Sequence, residues 1–301
     1  MKKEIWPVML TPFTEEGAVD FDSLERLIAW YEKGGVSGLF AVCQSSEMFS
    51  LSLRERLEIA RFVKEHARVP VIASGHVSAD LEDQADELRR MADTGVDAVV
   101  LISNRMACDR EGPAVWKRNL EWLMSRLPES VPLGIYECPA PYKRLLSDEE
   151  LAFCAESGRF RFMKDTCCDL ATLTRRAAIV AGTPMRLYNA NIATLLDSIK
   201  AGCHGFSGVM ANFHPDLFAW LLGNYERYPE EAKRLQALLT MCALIERQCY
   251  PVNAKYHLQR EGVFSSIYTR VRGQAELSET FRDEVRQMAL LADSVRSRLP
   301  G

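Results

Sequence analysis

Lys164 is the residue whose type and place most plainly offer chemistry. It sits at the end of the apolar run Phe160-Arg-Phe-Met-Lys164 and is followed by Asp165-Thr166. A free lysine has a pKa of ~10.4, so only about one in 2,500 is neutral at pH 7. Burial or a neighbouring cation can lower that to ~7–8 and turn the amine into a nucleophile. Such an amine attacks a ketone and forms an iminium, an electron sink that lets a C–C bond form or break one carbon away. The bland alternative is a lysine that snorkels to solvent or pairs with Asp165. Tyr136 ends a second apolar run, Val131-Pro-Leu-Gly-Ile-Tyr136. A phenol beside such a lysine can carry protons to and from a carbinolamine and an aldehyde oxygen. Ser45 and Ser46, in Cys43-Gln44-Ser45-Ser46-Glu47, offer hydroxyls on a turn, where they suit a carboxylate or a proton relay. Serines are common in turns for purely structural reasons.

Those residues need elements to hold them, and the chain repeats one grammar. A short aliphatic run is followed by polar residues, a helix-period segment, a glycine and the next run. Gly35, Gly95 and Gly202 each stand where a helix should end in a left-handed residue, a few positions before a new run. Eight strands are expected, near 4–10, 38–43, 70–75, 98–103, 131–138, 160–165, 185–189 and 205–209. Most are continuously apolar, as strands buried on both faces are. Helix starts are marked by the capping-box spacings Ser52/Glu55 and Ser147/Glu150 and by Pro113 and Pro215. Leu81, Ala85, Leu88 and Ala92 share one face of a helix over 81–94.

Alternating strands and helices imply a parallel sheet, and eight such units imply an α/β fold of the (β/α)8 TIM-barrel type. The barrel is expected over residues 1–226 and a C-terminal helical extension packed on it over 227–301, with helices near 230–249, 252–261 and 277–298. An open doubly wound sheet would usually carry a glycine-rich phosphate loop after its first strand, but Leu10-Thr-Pro-Phe13 has no glycine there. Barrel enzymes keep their chemistry at the C-terminal ends of the strands. That rule selects Gln44, Ser45 and Ser46 after strand 2, His76 after strand 3, Arg105 after strand 4, Tyr136, Lys164 with Thr166, Asn191, and Ser207 after strand 8.

The bulk numbers narrow the classes. The 301 residues are 48% hydrophobic and 26% charged, with a formal net charge of −4 and no long run of one sign. Nucleic-acid binding is disfavoured, since it needs a basic face. No window resembles a membrane span, and Met1-Lys-Lys-Glu-Ile-Trp-Pro7 lacks the apolar core of a signal peptide, so a cytoplasmic protein is expected. Nine scattered cysteines without a Cys-x-x-Cys pair suit buried free thiols. Cys43, Cys138, Cys167 and His76 near the strand ends leave a zinc-dependent barrel lyase open as a rival, although carboxylate ligands are sparse there.

Together these features resemble the dihydrodipicolinate synthase and N-acetylneuraminate lyase family of pyruvate-dependent class I aldolases. The resemblance runs through Thr11-Pro-Phe13, Glu47 with Glu55-Arg56, Pro70-Val-Ile-Ala73, Tyr136-Glu-Cys-Pro139, Lys164-Asp-Thr166 and the helical tail. It implies that Lys164 forms the Schiff base, that Tyr136 transfers protons and that Ser45 binds the carboxylate of the pyruvyl unit. It implies no cofactor beyond the covalent Schiff base, no metal, and a homo-oligomer, dimer or tetramer. The departures shape the expected substrate. The family's strand-2 turn carries two glycines and a first hydroxyl residue, where this chain has Cys43, Ser46 and Gln44. The synthase's second tyrosine has no counterpart in Asn104-Arg105-Met106, and Pro141 stands where the synthase has an arginine, with Lys143 and Arg144 close behind. The lyase's acidic residues after strand 7 are replaced by Asn191-Ile-Ala193. The expectation is a 2-oxo-acid aldolase or lyase with an unidentified aldehyde partner, not a true dihydrodipicolinate synthase, with Arg105, His76 and Asn191 facing that partner. The alternative is a family member that kept ligand binding and lost turnover.

Overall fold

The computed structural model describes residues 2–108 and 110–301. Its strands are β1 (Glu4–Ile5), β2 (Leu39–Phe40), β3 (Val71–Ala73), β4 (Ala98–Ile102), β5 (Leu133–Tyr136), β6 (Phe160–Asp165), β7 (Arg186–Asn189) and β8 (Gly205–Phe206). Every pairing is parallel, in the order β1-β8-β7-β6-β5-β4-β3-β2. A parallel bridge from Val8 to Phe40 joins the first segment to β2 and completes the ring. This is the eightfold barrel expected from the strand grammar. The strands are shorter than the apolar runs because the runs continue into the turns that bend over the mouth. At the β1–β8 seam the backbones approach so closely that a Cβ on Gly205 would lie 1.9 Å from the Glu4 carbonyl oxygen.

Eight helices alternate with the strands: α1 (Phe21–Lys33), α2 (Leu53–His66), α3 (Leu81–Ala92), α4 (Pro113–Ser125), α5 (Asp148–Glu156), α6 (Leu170–Val180), α7 (Leu195–Lys200) and α8 (Pro215–Asn224). Both capping boxes form, so the first-turn N–H groups of α2 and α5 are satisfied by Ser52 and Ser147. Pro113 and Pro215 occupy first turns, where a missing N–H costs nothing. Gly35 and Gly95 have φ of 78° and 84°, the left-handed backbone that ends α1 and α3.

The chain continues through α9 (Pro229–Cys242), α10 (Val252–Arg260) and α11 (Glu279–Arg296). The helix expected to run to 249 stops at Cys242 and tightens into a 3-10 turn over Ala243–Arg247. That break turns residues 246–251 toward the barrel mouth. Inside the barrel, Trp6, Phe40, Phe162 and Tyr188 form an aromatic layer, with Phe162 4.7 Å from Tyr188, 5.4 Å from Trp6 and 5.8 Å from Phe40. The layer floors the space in which Lys164 lies.

Candidate active site

Alternation along β6 puts Phe162 into the aromatic layer and Lys164 one step higher, facing the barrel axis. Lys164 pairs in register with Tyr136 on β5, and its ammonium nitrogen stands 4.6 Å from the centre of the Tyr136 ring. The lysine is only 5% exposed. Burial therefore lowers its pKa. The two nearest thiols, Cys43 and Cys138, are themselves pushed up by burial, Cys138 to about 11, so neither is a thiolate that would hold the lysine protonated at neutral pH. Asp165 is not its partner either, because that carboxylate pairs with Arg176 of α6, and the carboxyl group of Glu246 across the mouth opposes the lowering without reversing it. Tyr136 packs edge-on against Phe40 at 5.6 Å, and burial raises its pKa well above the ordinary phenol value. It is a proton donor at neutral pH, not a standing base.

Lys164 and Tyr136 open into a cavity of about 620 Å³ at the barrel mouth. Gln44, Ser45, Thr166 and Asn191 also line it. Ser45 lies against the Tyr250 hydroxyl, while Gln44 accepts a 3.4 Å contact from the Cys138 thiol. Thr166 donates its hydroxyl to the Glu137 carbonyl at 2.9 Å. Asn191 is held by Thr194, whose N–H and hydroxyl both donate to its side-chain oxygen at 3.2 Å.

Four expected site residues lie elsewhere. The Ser46 hydroxyl faces inward under the turn, its one hydrogen shared between the carbonyls of Met9 (2.7 Å) and Ala41 (2.8 Å), and it accepts from the Cys43 N–H. It locks the turn and does not line the cavity. His76 is fully buried in the wall, where its Nε2 accepts from the Ile102 N–H at 2.7 Å. Burial depresses its pKa to about 4, so it is a neutral structural acceptor. Arg105 lies over the ring of Phe49, 5.6 Å from its centre, and Phe49, not Arg105, reaches the cavity. Asn104 causes this: its amide donates to the carbonyls of Cys138, Ala140 and Tyr142, and that anchorage fixes the 3-10 turn over Ser103–Arg105. Ser207 is fully buried, and Gly208 and Val209 reach the cavity instead.

Sequence reasoning missed the far wall. Glu246, Tyr250 and Arg272 come from the tail, and Lys143 comes from the loop after β5. Lys143 donates to the Thr166 carbonyl, whereas Arg144 turns away to pair with Glu150. The available signal was the interruption of apolar periodicity after Cys242 and the Tyr250-Pro251 pair, which mark a turn rather than a helix. The tail is fastened to the strand-2 turn through Glu47. Lys255 of α10 donates to Glu47 at 2.6 Å and the Arg270 N–H donates to its other oxygen at 2.6 Å. Those bonds hold Glu47 at φ 61°, a left-handed conformation uncommon for a side-chain-bearing residue. Among the described residues, no group of three or more His, Cys, Asp or Glu side chains is placed to hold a metal ion.

Residues 1–105 match the model of the dihydrodipicolinate synthetase family. Similarity to curated members continues far beyond that segment: 26% identity over 265 residues with a 4-hydroxy-tetrahydrodipicolinate synthase of Methanothrix thermoacetophila covers 86% of this chain and 87% of that one. The chain is thus similar to dihydrodipicolinate synthetase family proteins over most of its length. A second relative, the 4-hydroxy-tetrahydrodipicolinate synthase of Laribacter hongkongensis, is 29% identical over 219 residues, covering 71% of this chain and 72% of that one. The fold is shared with a dihydrodipicolinate synthase of Bacillus anthracis, at a TM-score of 0.86 and 20% identity over 96% of this chain and 98% of that one. It is also shared with a prophage protein of the family from Escherichia coli K12 in complex with pyruvate, at a TM-score of 0.84 and 22% identity over 98% of each chain.

Proposed function

We propose that this protein is a Schiff-base-forming class I aldolase or lyase acting on pyruvate or a related 2-oxo acid, with an aldehyde as its second substrate or product. The observation that carries the reading is the in-register pair of Lys164 and Tyr136, buried together at the floor of the mouth cavity with no direct salt bridge to the lysine among the described residues. The similarity to dihydrodipicolinate synthetase family proteins supports it, and so does the pyruvate bound by the Escherichia coli protein of the same fold. Neutral Lys164 attacks the ketone carbon. The Tyr136 hydroxyl relays a proton from the attacking nitrogen to the ketone oxygen, and the carbinolamine takes up a further proton and loses water to leave the iminium. Ser45 and Gln44 lie across the cavity as hydrogen-bonding partners for the 2-oxo acid's carboxylate.

We further propose that its aldehyde partner is not that of a dihydrodipicolinate synthase, on the strength of the groups at the mouth of the cavity. Its cations are Lys143 and Arg272, set beside the apolar surfaces of Phe49 and Val271. Such a wall suits an aldehyde with an anionic or aromatic end. Borohydride reduction in the presence of pyruvate, followed by peptide mass analysis, tests the reading. A reduced pyruvyl adduct on Lys164 is expected. An unmodified Lys164 across several 2-oxo acids would refute it. Screening pyruvate against anionic, aromatic and polyhydroxy aldehydes then identifies the partner.

A further inference from the structure

Among the described residues the buried acids are all paired, whereas one half-buried acid at the barrel mouth is not. Glu47 meets Lys255, Glu87 meets Arg56, Glu150 meets Arg144, and Glu137 and Asp165 share Arg176. Glu246 lines the Lys164 cavity, and among the described residues no side chain or N–H is hydrogen-bonded or ion-paired to its carboxylate. The exception is not an accident of a loose surface. The 3-10 turn after α9, with Ile245 buried beside it and its carbonyl held by the Asn253 amide at 2.8 Å, presents Glu246 to the mouth.

We propose that Glu246 is a catalytic base that removes the C3 proton from the Lys164-bound 2-oxo acid. The proposal rests on the Schiff-base reading above. Two further observations support it. The phenol of Tyr136 stays protonated at neutral pH, so the site needs a second group to accept a carbon-bound proton. Burial raises the Glu246 pKa to about 7, with the Lys164 charge opposing that rise, so the carboxylate is basic enough to take a proton and acidic enough to give it back.

In the step proposed, a Glu246 oxygen takes a proton from C3 of the iminium. The C3–H electron pair becomes the C2–C3 double bond, and the C2–N π pair moves onto the Lys164 nitrogen, leaving a neutral enamine. The enamine C3 then attacks the aldehyde carbon and restores the iminium, while Tyr136 gives its proton to the aldehyde oxygen. Glu246 returns the C3 proton to the Tyr136 phenolate, so both groups regain their starting states. The charged and titratable groups lining the cavity with Glu246 are Lys164 from β6, Lys143, Cys168, Tyr136, the tail's Tyr250 and Arg272, and Glu47, which is paired with Lys255. Arg272 is engaged with Glu276 at 2.6 Å and Lys143 with a carbonyl, so neither neutralises Glu246 directly.

The test separates proton removal from adduct formation. Full-length wild type and Glu246→Gln are each incubated with pyruvate in D2O, and loss of the methyl signal is followed by NMR beside borohydride trapping at Lys164. The Gln variant should trap pyruvate as wild type does, which also shows that it is folded, while its C3 exchange falls at least about 100-fold. Wild-type exchange should rise with pH through a step near neutrality that the Gln variant lacks. If the Gln variant traps and exchanges like wild type, Glu246 is not the base and the Schiff-base reading stands. If wild type traps pyruvate without exchanging C3, this inference alone is overturned. If wild type traps no 2-oxo acid, both readings fall. Should Gln fail to fold, Glu246→Asp takes its place; exchange undiminished with the shortened carboxylate would overturn the assignment.

Discussion

Strands β5 and β6 carry two ionisable pairs one residue apart, and the pairs are built in opposite ways. Tyr136 and Lys164 point into the barrel, desolvated and without a salt bridge. Glu137 and Asp165, next along each strand, point outward between barrel and helices. There Arg176 binds Glu137 through both nitrogens at 2.7 and 3.1 Å and pairs with Asp165. The N–H groups of Leu146 (2.8 Å) and Thr166 (3.0 Å) complete the Glu137 carboxylate. The outer pair shows what burial of charge requires when the aim is to hold two strands and a helix together: every oxygen has a donor. The inner pair lacks such compensation, so its pKa values move instead. A lysine left uncompensated is a lysine closer to its neutral, nucleophilic form.

The largest expected effect comes from deleting the inner nucleophile. Lys164→Met should abolish pyruvyl trapping and cut aldol turnover by at least about 10⁴-fold, because the covalent route has no substitute. Thermal unfolding should show the same variant no less stable than wild type, since a buried cation without a direct salt bridge has been removed. Tyr136→Phe should come next. We expect turnover with an aldehyde to fall by about 10²–10⁴-fold while the adduct on Lys164 is still trapped and C3 exchange continues, so that comparing the three readouts places the phenol at the C–C step. On the outer side, Arg176→Met strands two buried carboxylates. Urea unfolding should register a loss of about 3–5 kcal/mol. A loss under about 1 kcal/mol would mean that the outer network is not a stability device and would dissolve the contrast.

The subtlest effect is a pH slope. Lys164 has a lowered pKa in the fold, whereas in the unfolded chain it should titrate near ~10.4. Between those values the unfolded chain binds more protons, so the lysine's contribution makes stability rise with pH across that window, and below it the full cost of the buried charge is present. Lys164→Met removes this contribution. Its stability advantage over wild type should be greatest at neutral pH and shrink toward pH ~10, which paired urea titrations can follow. A constant difference would mean that Lys164 is not desolvated.

The barrel was legible because its rules are local. Continuous apolar runs, capping boxes and helix-ending glycines each act within a few residues, and Ser52, Ser147, Gly35 and Gly95 do in the structure what their spacing announces. Strand-end logic brought Lys164, Tyr136, Gln44, Ser45, Thr166 and Asn191 to one cavity. It misplaced Ser46, His76, Arg105 and Ser207 because a position after a strand does not fix which way a side chain turns. For His76 the Ile102 N–H decided, and for Arg105 the Asn104 anchor and the Phe49 ring did. The tail was read as packing helices, and its contribution to the mouth could not be seen, since nothing local says where residue 246 lies relative to residue 164.

By itself, then, the sequence determined the eightfold alternation, the lysine at the end of the sixth strand and the phenol on the fifth. Periodicity, caps and strand order are enough to place groups on neighbouring strands. Only the tertiary structure decided what surrounds them. The pairing of Asp165 with Arg176 rather than Lys164, the closure of the mouth by Glu246, Tyr250 and Arg272, and the clamp of Lys255 on Glu47 join residues up to 208 positions apart. Burial and charge compensation depend on what packs in space, and those are the quantities that set whether a lysine stays an inert cation or becomes a nucleophile.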